Sequence, residues 1–268
     1  MKKLKFLFIA IALINFSCSS DSNNSNEEDI TENLLEIDIE ISGNQFEVDK
    51  PISFNIISNQ NINEVCVSFD NWDNFSCLAA LDDSGLGFSK TIYTSFDQLG
   101  LKTINTRITN LDNEIEEETF QIEIIKGSSV KINRINLISF SNINGTWDPE
   151  FSGIDALADL KFALVKTYIT TSFDTMEFDS KTWYISDVLM NQGNLTWDLS
   201  QEELYIDPNL NFGFGLGDND GGGIGQDLLL GPPFEIIYSL QDFINEQPNS
   251  ATLIKEDIDL EVEFELVW

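Results

Sequence analysis

The sequence predicts an all-β fold of two consecutive β-sandwich domains, preceded by a signal peptide and a flexible tether. Three observations carry that prediction. From about Leu34 onward, short apolar or alternating runs are broken every few residues by Asn, Asp, Ser and Gly, which is strand and turn patterning. The stretch Lys126-Gly127-Ser128-Ser129-Val130 divides these runs into two series. The final run sets Ile258, Leu260, Val262, Phe264 and Leu266 on one face, and Asp257, Asp259, Glu261, Glu263 and Glu265 on the other. An apolar fraction of 42% supplies enough material for a core and argues against a wholly disordered chain.

In chain order, Lys2, Lys3 and Lys5 make a positive start, Phe6 to Ile14 is an apolar run, and Ser17 stands before Cys18. This reads as a secretory signal over residues 1–17. The run is too short to span a bilayer stably, and no later stretch approaches the length of a spanning helix, which argues against a polytopic membrane protein. The junction Asn15-Phe16-Ser17-Cys18-Ser19-Ser20-Asp21 resembles the signal end of bacterial lipoproteins, particularly those of the Bacteroidetes. The resemblance implies that Cys18 carries the lipid, that outer-membrane lipid is a partner, and that the chain sits on the outer membrane. Residues 18–32 are small, polar and acidic and read as the tether. Asp21 with Glu27, Glu28 and Asp29 is similar to the acidic export signals of such lipoproteins, implying the cell surface, with the inner leaflet of the outer membrane as the alternative.

The first sandwich is expected over residues 33–126, with strands at Leu34 to Ile41, Pro51 to Ser58, Asn63 to Phe69, Phe88 to Ser95, Lys102 to Thr109 and Ile115 to Ile125. Turn residues Asn110-Leu111-Asp112-Asn113 separate the last two. Gly100-Leu101-Lys102-Thr103 and Thr106-Arg107-Ile108-Thr109-Asn110 resemble the closing hairpin of immunoglobulin-like modules of the polycystic-kidney-disease (PKD) type. That resemblance implies architecture and no particular activity. Cys66 and Cys77, eleven positions apart in a secreted chain, suggest a disulfide closing the Asp70 to Ser76 excursion, although Val65-Cys66-Val67 also suits a buried free thiol. Trp72 and Phe75 within the excursion are either recognition aromatics or side chains packed on the adjoining sheet.

The second sandwich is expected over residues 127–268. Its strands are read at Lys131 to Phe140, Leu160 to Thr170, Leu195 to Asp198, Glu203 to Asp207, Leu210 to Leu216, Asp227 to Leu230 and Asp257 to Val267, with one short helix at Ser239 to Glu246 before Pro248. Ser141-Asn142-Ile143-Asn144-Gly145-Thr146-Trp147-Asp148, Ile154-Asp155-Ala156-Leu157-Ala158-Asp159-Leu160 and Gly217-Asp218-Asn219-Asp220 resemble a family of C2-like sandwiches. In calcium-binding members, aspartates of an early and a late loop meet at one end. The resemblance therefore implies early ligands from among Asp148, Asp155 or Asp159, late ligands Asp218 with Asp220, and calcium as cofactor. Hard oxygen donors on loops suit that ion. The glycine-rich stretch from Gly221 has other readings. Gly222 to Leu230 fits one copy of a calcium-binding β-roll repeat, an architecture that needs stacked neighbours. An EF-hand loop starting at Asp218 fails, because Leu229 occupies the position of the twelfth-residue acid. A mobile glycine loop without an ion also fits.

The charge balance is 14 basic against 46 acidic residues, a net −32 that becomes −35 when the three lysines of the signal are removed. Such a chain repels nucleic-acid phosphates and attracts cations or basic partners. The absence of histidine removes the commonest neutral-pH general base, every Ser-His or Cys-His dyad and most transition-metal sites. Ser89-Lys90 and Ser180-Lys181 form no recognised catalytic motif, and no carboxylate pair is set apart from the others. The sequence thus points to a non-catalytic cell-envelope lipoprotein with a structural or binding role and a protein or glycan ligand. The alternative is a carbohydrate-binding accessory lipoprotein presenting Trp147, Trp183 and Trp197. A coplanar pair of exposed indoles would favour that alternative.

Overall fold

The computed structural model describes residues 34–219, 226–231 and 234–268. Cys18 and the expected signal and tether lie outside the described residues, as do Asp220 and the glycines that follow it. From Leu35 onward the chain forms one compact unit. It is all-β, and among the described residues its helices are 3-10 turns of three or four residues.

Eight strands build the first half: β1 (Ile37–Ile41), β2 (Phe46–Glu47), β3 (Ile52–Ser58), β4 (Ile62–Ser68), β5 (Ser76–Ala79), β6 (Ser89–Thr94), β7 (Gly100–Asn110) and β8 (Ile115–Ile125). They form one sheet containing β1-β3-β6 and a second ordered β2-β8-β7-β4-β5. All neighbours are antiparallel except β2, which runs parallel to the end of β8. This is an immunoglobulin-like layout. Alternation explains it: β3 buries Ile52, Phe54 and Ile56 and turns the intervening residues outward. These side chains meet Ile62, Val65, Val67, Ile92, Ile104, Ile108 and Ile122 in one core. The β7–β8 turn is built by Asn110, whose Oδ1 accepts the backbone N–H groups of Asp112 and Glu114 at 3.0 and 2.8 Å.

Eleven strands follow: β9 (Val130–Ser139), β10 (Leu160–Thr170), β11 (Ser172–Phe173), β12 (Glu177–Ile185), β13 (Thr196–Asp198), β14 (Tyr205–Ile206), β15 (Asn211–Asp218), β16 (Gln226–Asp227), β17 (Ile236–Ser239), β18 (Ser250–Lys255) and β19 (Leu260–Val267). One sheet runs β13-β9-β19-β18 with β14 also on β9. The other runs β12-β10-β15-β16 with β17 also on β15. Between them lies a second core, in which Phe212 and Phe264 meet edge to face at 5.3 Å and Phe162 meets Trp197 at 4.9 Å. On β19, Leu260, Val262, Phe264 and Leu266 are buried and the glutamates between them are half-buried.

Several sequence expectations are corrected. The Ser239 to Glu246 helix is only a 3-10 turn at Gln241–Phe243. The last strand begins at Leu260, because Glu256–Ile258 form a 3-10 turn and Asp259 adopts a left-handed φ of 52°. The strand expected at Asp227 to Leu230 is reduced to Gln226–Asp227, since the Asp227 carboxylate accepts the N–H groups of Leu229 and Gly231 and folds the chain into a turn. Strands β2, β5, β11, β12, β17 and β18 have no counterpart among the strands expected from the sequence.

The two halves are joined by more than the linker. Ser128 donates its N–H and hydroxyl to Glu47, Ser129 donates to the Val48 carbonyl, and a Cβ at Gly127, whose φ is 54°, would run into the Glu47 side chain. β11, from the second half, pairs with β6 and extends the first sheet of the first half. Between the halves, the Lys166 ammonium contacts both carboxylate oxygens of Asp49 at 2.8 and 2.9 Å, with the side chains 0% and 1% exposed. It also donates to the Tyr205 carbonyl at 3.3 Å and lies 4.4 Å from the centre of the Trp183 ring. Burial raises the Asp49 pKa and lowers that of Lys166, while each partner's charge opposes the shift of the other. Two more exposed pairs flank it, Lys50–Asp207 at 2.6 Å and Lys181–Asp97 at 2.7 Å.

Removing one member of a buried pair strands the other charge. We expect Lys166→Met to lower unfolding free energy by about 3–5 kcal/mol, and the double variant Lys166→Met/Asp49→Leu to recover most of that loss. Denaturant unfolding of the four proteins of the cycle measures both.

Candidate functional site

The long segment between β9 and β10 is folded back on itself by Trp147. Its backbone N–H donates to the Ala156 carbonyl at 2.8 Å, its indole Nε1 donates to the Asn142 carbonyl at 3.2 Å, and its ring lies 6.5 Å from that of Phe140. This places Asp148 close to the 3-10 turn that carries Asp155. Asp159 follows, immediately before β10, and is tied to two other loops. Its Oδ1 accepts the Asn191 N–H at 2.7 Å, its carbonyl accepts the Asn219 N–H at 2.8 Å, and its own N–H donates to Asp218 Oδ1 at 2.7 Å.

Three loops, those after β9, β12 and β15, therefore meet at one end of the second sandwich. They enclose an open cleft of about 410 Å³ lined by Asp148, Glu150, Asp155, Asp159, Asn191 and Asn219, together with the apolar side chains of Phe151 and Met190. Asp218 does not line it. Fully buried at the end of β15, that carboxylate grips the Asp159 backbone and so holds two of the loops together. Of the acids implied by the C2-like resemblance, Asp148, Asp155, Asp159 and Asp218 thus lie at the same end of the fold, the first three at the surface and Asp218 behind them, while Asp220 lies outside the described residues. Sequence reasoning missed Glu150, Asn191 and Asn219. Asn219 could have been read from its position between two aspartates, whereas nothing local marks Asn191.

The donors on this cleft are oxygen-rich, which suits a hard cation rather than zinc or copper. They are not drawn tight. Among the described residues, the one set of three acidic or sulfur ligand atoms lying within 4.8 Å of one another is Glu64, Cys66 and Cys77, and its two sulfurs are bonded to each other. A cation in the cleft would therefore have to draw the Asp148, Asp155 and Asp159 side chains inward.

Cys66 and Cys77 face each other on β4 and β5 and form the disulfide. The loop it closes is held by Asp70, which accepts the backbone N–H and the side-chain amide of Asn74 and the Ser68 hydroxyl; these bonds hold its carboxyl below the usual range. Trp72 adopts a φ of 71°, with the Arg107 guanidinium 4.8 Å from its ring centre, and Phe75 is 58% exposed. The other tryptophans are structural in placement. Trp197 is 5% exposed and donates to the Asp187 carbonyl, while Trp147 and Trp183 are half-buried against the core. They form no exposed coplanar pair.

No protein-family model and no curated protein matches the chain. Among solved structures it is similar to the major pilin subunit of Bacillus cereus, with 12% identity over 77% of this chain and 66% of that one, just under two thirds of the pilin's length. The TM-score is 0.25, and at that value the likeness carries no inference about fold or function.

Asp159 is the residue on which the three loops depend. We expect Asp159→Ala to destabilise the protein by about 1–3 kcal/mol, because it leaves the Asn191 N–H without its charged acceptor. Hydrogen exchange should show faster opening at Asn191, with protection in the β3 and β7 core falling by no more than that global loss.

Proposed function

We propose that the chain is a non-catalytic, lipid-anchored protein of the outer membrane, displayed at the cell surface through Cys18. In this reading the PKD-like first sandwich is a spacer, and the C2-like second sandwich carries a calcium-dependent end that meets a protein or glycan ligand. The observation that carries the reading is the convergence of three loops on one cleft, with Asp148, Asp155, Asp159, Glu150 and Asn219 as oxygen donors. So many carboxylates facing one space repel one another, and a divalent cation would relieve that repulsion. Asp148, Asp155 and Asp159 would hold it, with Asp218 acting through the Asp159 backbone. Bound calcium would supply charge neutralisation and a fixed loop arrangement. The acidic surface and the absence of histidine support a binding role over a catalytic one.

Thermal unfolding of the full chain in EDTA and in millimolar calcium tests this. Modules of this kind bind calcium with dissociation constants of about 10⁻⁴–10⁻³ M. At about 10 mM calcium, roughly ten- to hundredfold above that constant, linkage gives about 1.4–2.7 kcal/mol, equivalent to a Tm increase of about 3–10 °C for a protein of this size. Asp148→Asn/Asp155→Asn should abolish the increase. An unchanged Tm in the wild type would refute a folding-coupled site.

A further inference from the structure

A second cavity lies at the seam between the two halves, far along β10 from the acidic cleft. Its volume is about 310 Å³. One wall is the turn between β2 and β3, contributing Asp49, Lys50 and Pro51. The other walls come from the second half and are mostly apolar, with Tyr168, Ile169, Phe178 and Leu210. Its charged residues are already paired with each other or with a neighbour, Asp49 with Lys166 and Lys50 with Asp207. On a chain carrying a net −32, this is a locally balanced environment that offers no uncompensated charge to an ion. The ring of Phe178, on edge strand β12, stands at this cavity 61% exposed, whereas Tyr168, Ile169 and Leu210 are half-buried or buried. Apolar cavities of this size at the boundary between two packed bodies, with a few fixed polar groups at one side, have the character of small-molecule sites.

We propose that the seam cavity binds a neutral, largely apolar small molecule of about two fused rings. The size follows from the volume, since a cavity of about 150 Å³ accepts one benzene ring. The neutrality follows from the paired charges of the lining. One edge of such a molecule would lie near the Lys50–Asp207 pair, and its faces would cover Phe178 and Leu210. Because the walls belong to both halves, the bound molecule bridges them. The site is independent of the calcium cleft and stands or falls separately from it.

The test uses the full chain and three probes of equal ring size: 2-naphthol, the anion 2-naphthalenesulfonate and the cation 2-naphthylmethylammonium. Fluorescence titration should show saturable binding of 2-naphthol, with each ion binding about tenfold more weakly or worse. Leu210→Trp, which fills the cavity, should weaken 2-naphthol binding by about tenfold or more, and Phe178→Arg should do the same. The exposed position of Phe178 keeps the second variant informative if the first does not fold. Absence of saturable 2-naphthol binding to the wild type overturns the proposal, as does wild-type affinity in Phe178→Arg. Equal affinity for the sulfonate or the ammonium overturns the assignment of a neutral ligand.

Discussion

The contact between Lys166 and Asp49 is the constraint on which the arrangement of the two sandwiches depends. Strand β10 alternates, and Lys166 falls at a position where the pattern places a buried side chain, between Leu164 and the neighbouring core residues. An ammonium there is tolerable only because a carboxylate, a backbone carbonyl and an aromatic face surround it. Asp49 in turn sits in a left-handed turn, φ 61°, that places its side chain in the seam. A well-packed apolar pair at this point could be at least as stable. In the present geometry the ammonium meets both Asp49 oxygens and the Tyr205 carbonyl at once, which holds the turn after β2 against β10 and β14.

The same strand connects that contact to the acidic cleft. β10 has eleven residues, about 36 Å of extended chain. Before it stands Asp159, gripped by Asn191, Asn219 and Asp218. At its other end the chain passes directly into β11, which is hydrogen-bonded to β6 of the first half. Fixing Lys166 on Asp49 therefore fixes the direction in which the cleft is presented. Ser95, which exchanges hydrogen bonds with Ile169, and the Lys90–Asp174 pair next to β11 reinforce that connection.

Strands with one buried face were readable because their side chains alternate. Ile115–Ile125 and Leu160–Thr170 fall at the expected bounds, and the buried face of β19 is the alternating face of the sequence. Strand β12 escaped notice because it is an edge strand, and most of its residues, from Glu177 to Ser180 above all, face water and carry no pattern. β2, β11 and β17 are too short for periodicity to register. The disulfide was legible as one of two readings of a cysteine pair. The Lys166 contact was not, because its partner is 117 positions away, although a lysine inside the apolar run from Leu160 to Ile169 was a signal that something must neutralise it. For the cleft, sequence resemblance led to Asp148, Asp155 and Asp159. The role of Asp218 depends on a backbone hydrogen bond, which no residue pattern encodes.

If the buried pair and the shared strand make the two sandwiches one structural body, they should melt together. Differential scanning calorimetry of the full chain decides this most directly. The account predicts a single transition in which the calorimetric and van't Hoff enthalpies agree. Two resolved transitions, or a calorimetric enthalpy well above the van't Hoff value, would mean that each sandwich unfolds independently and that the Lys166–Asp49 contact does not couple them.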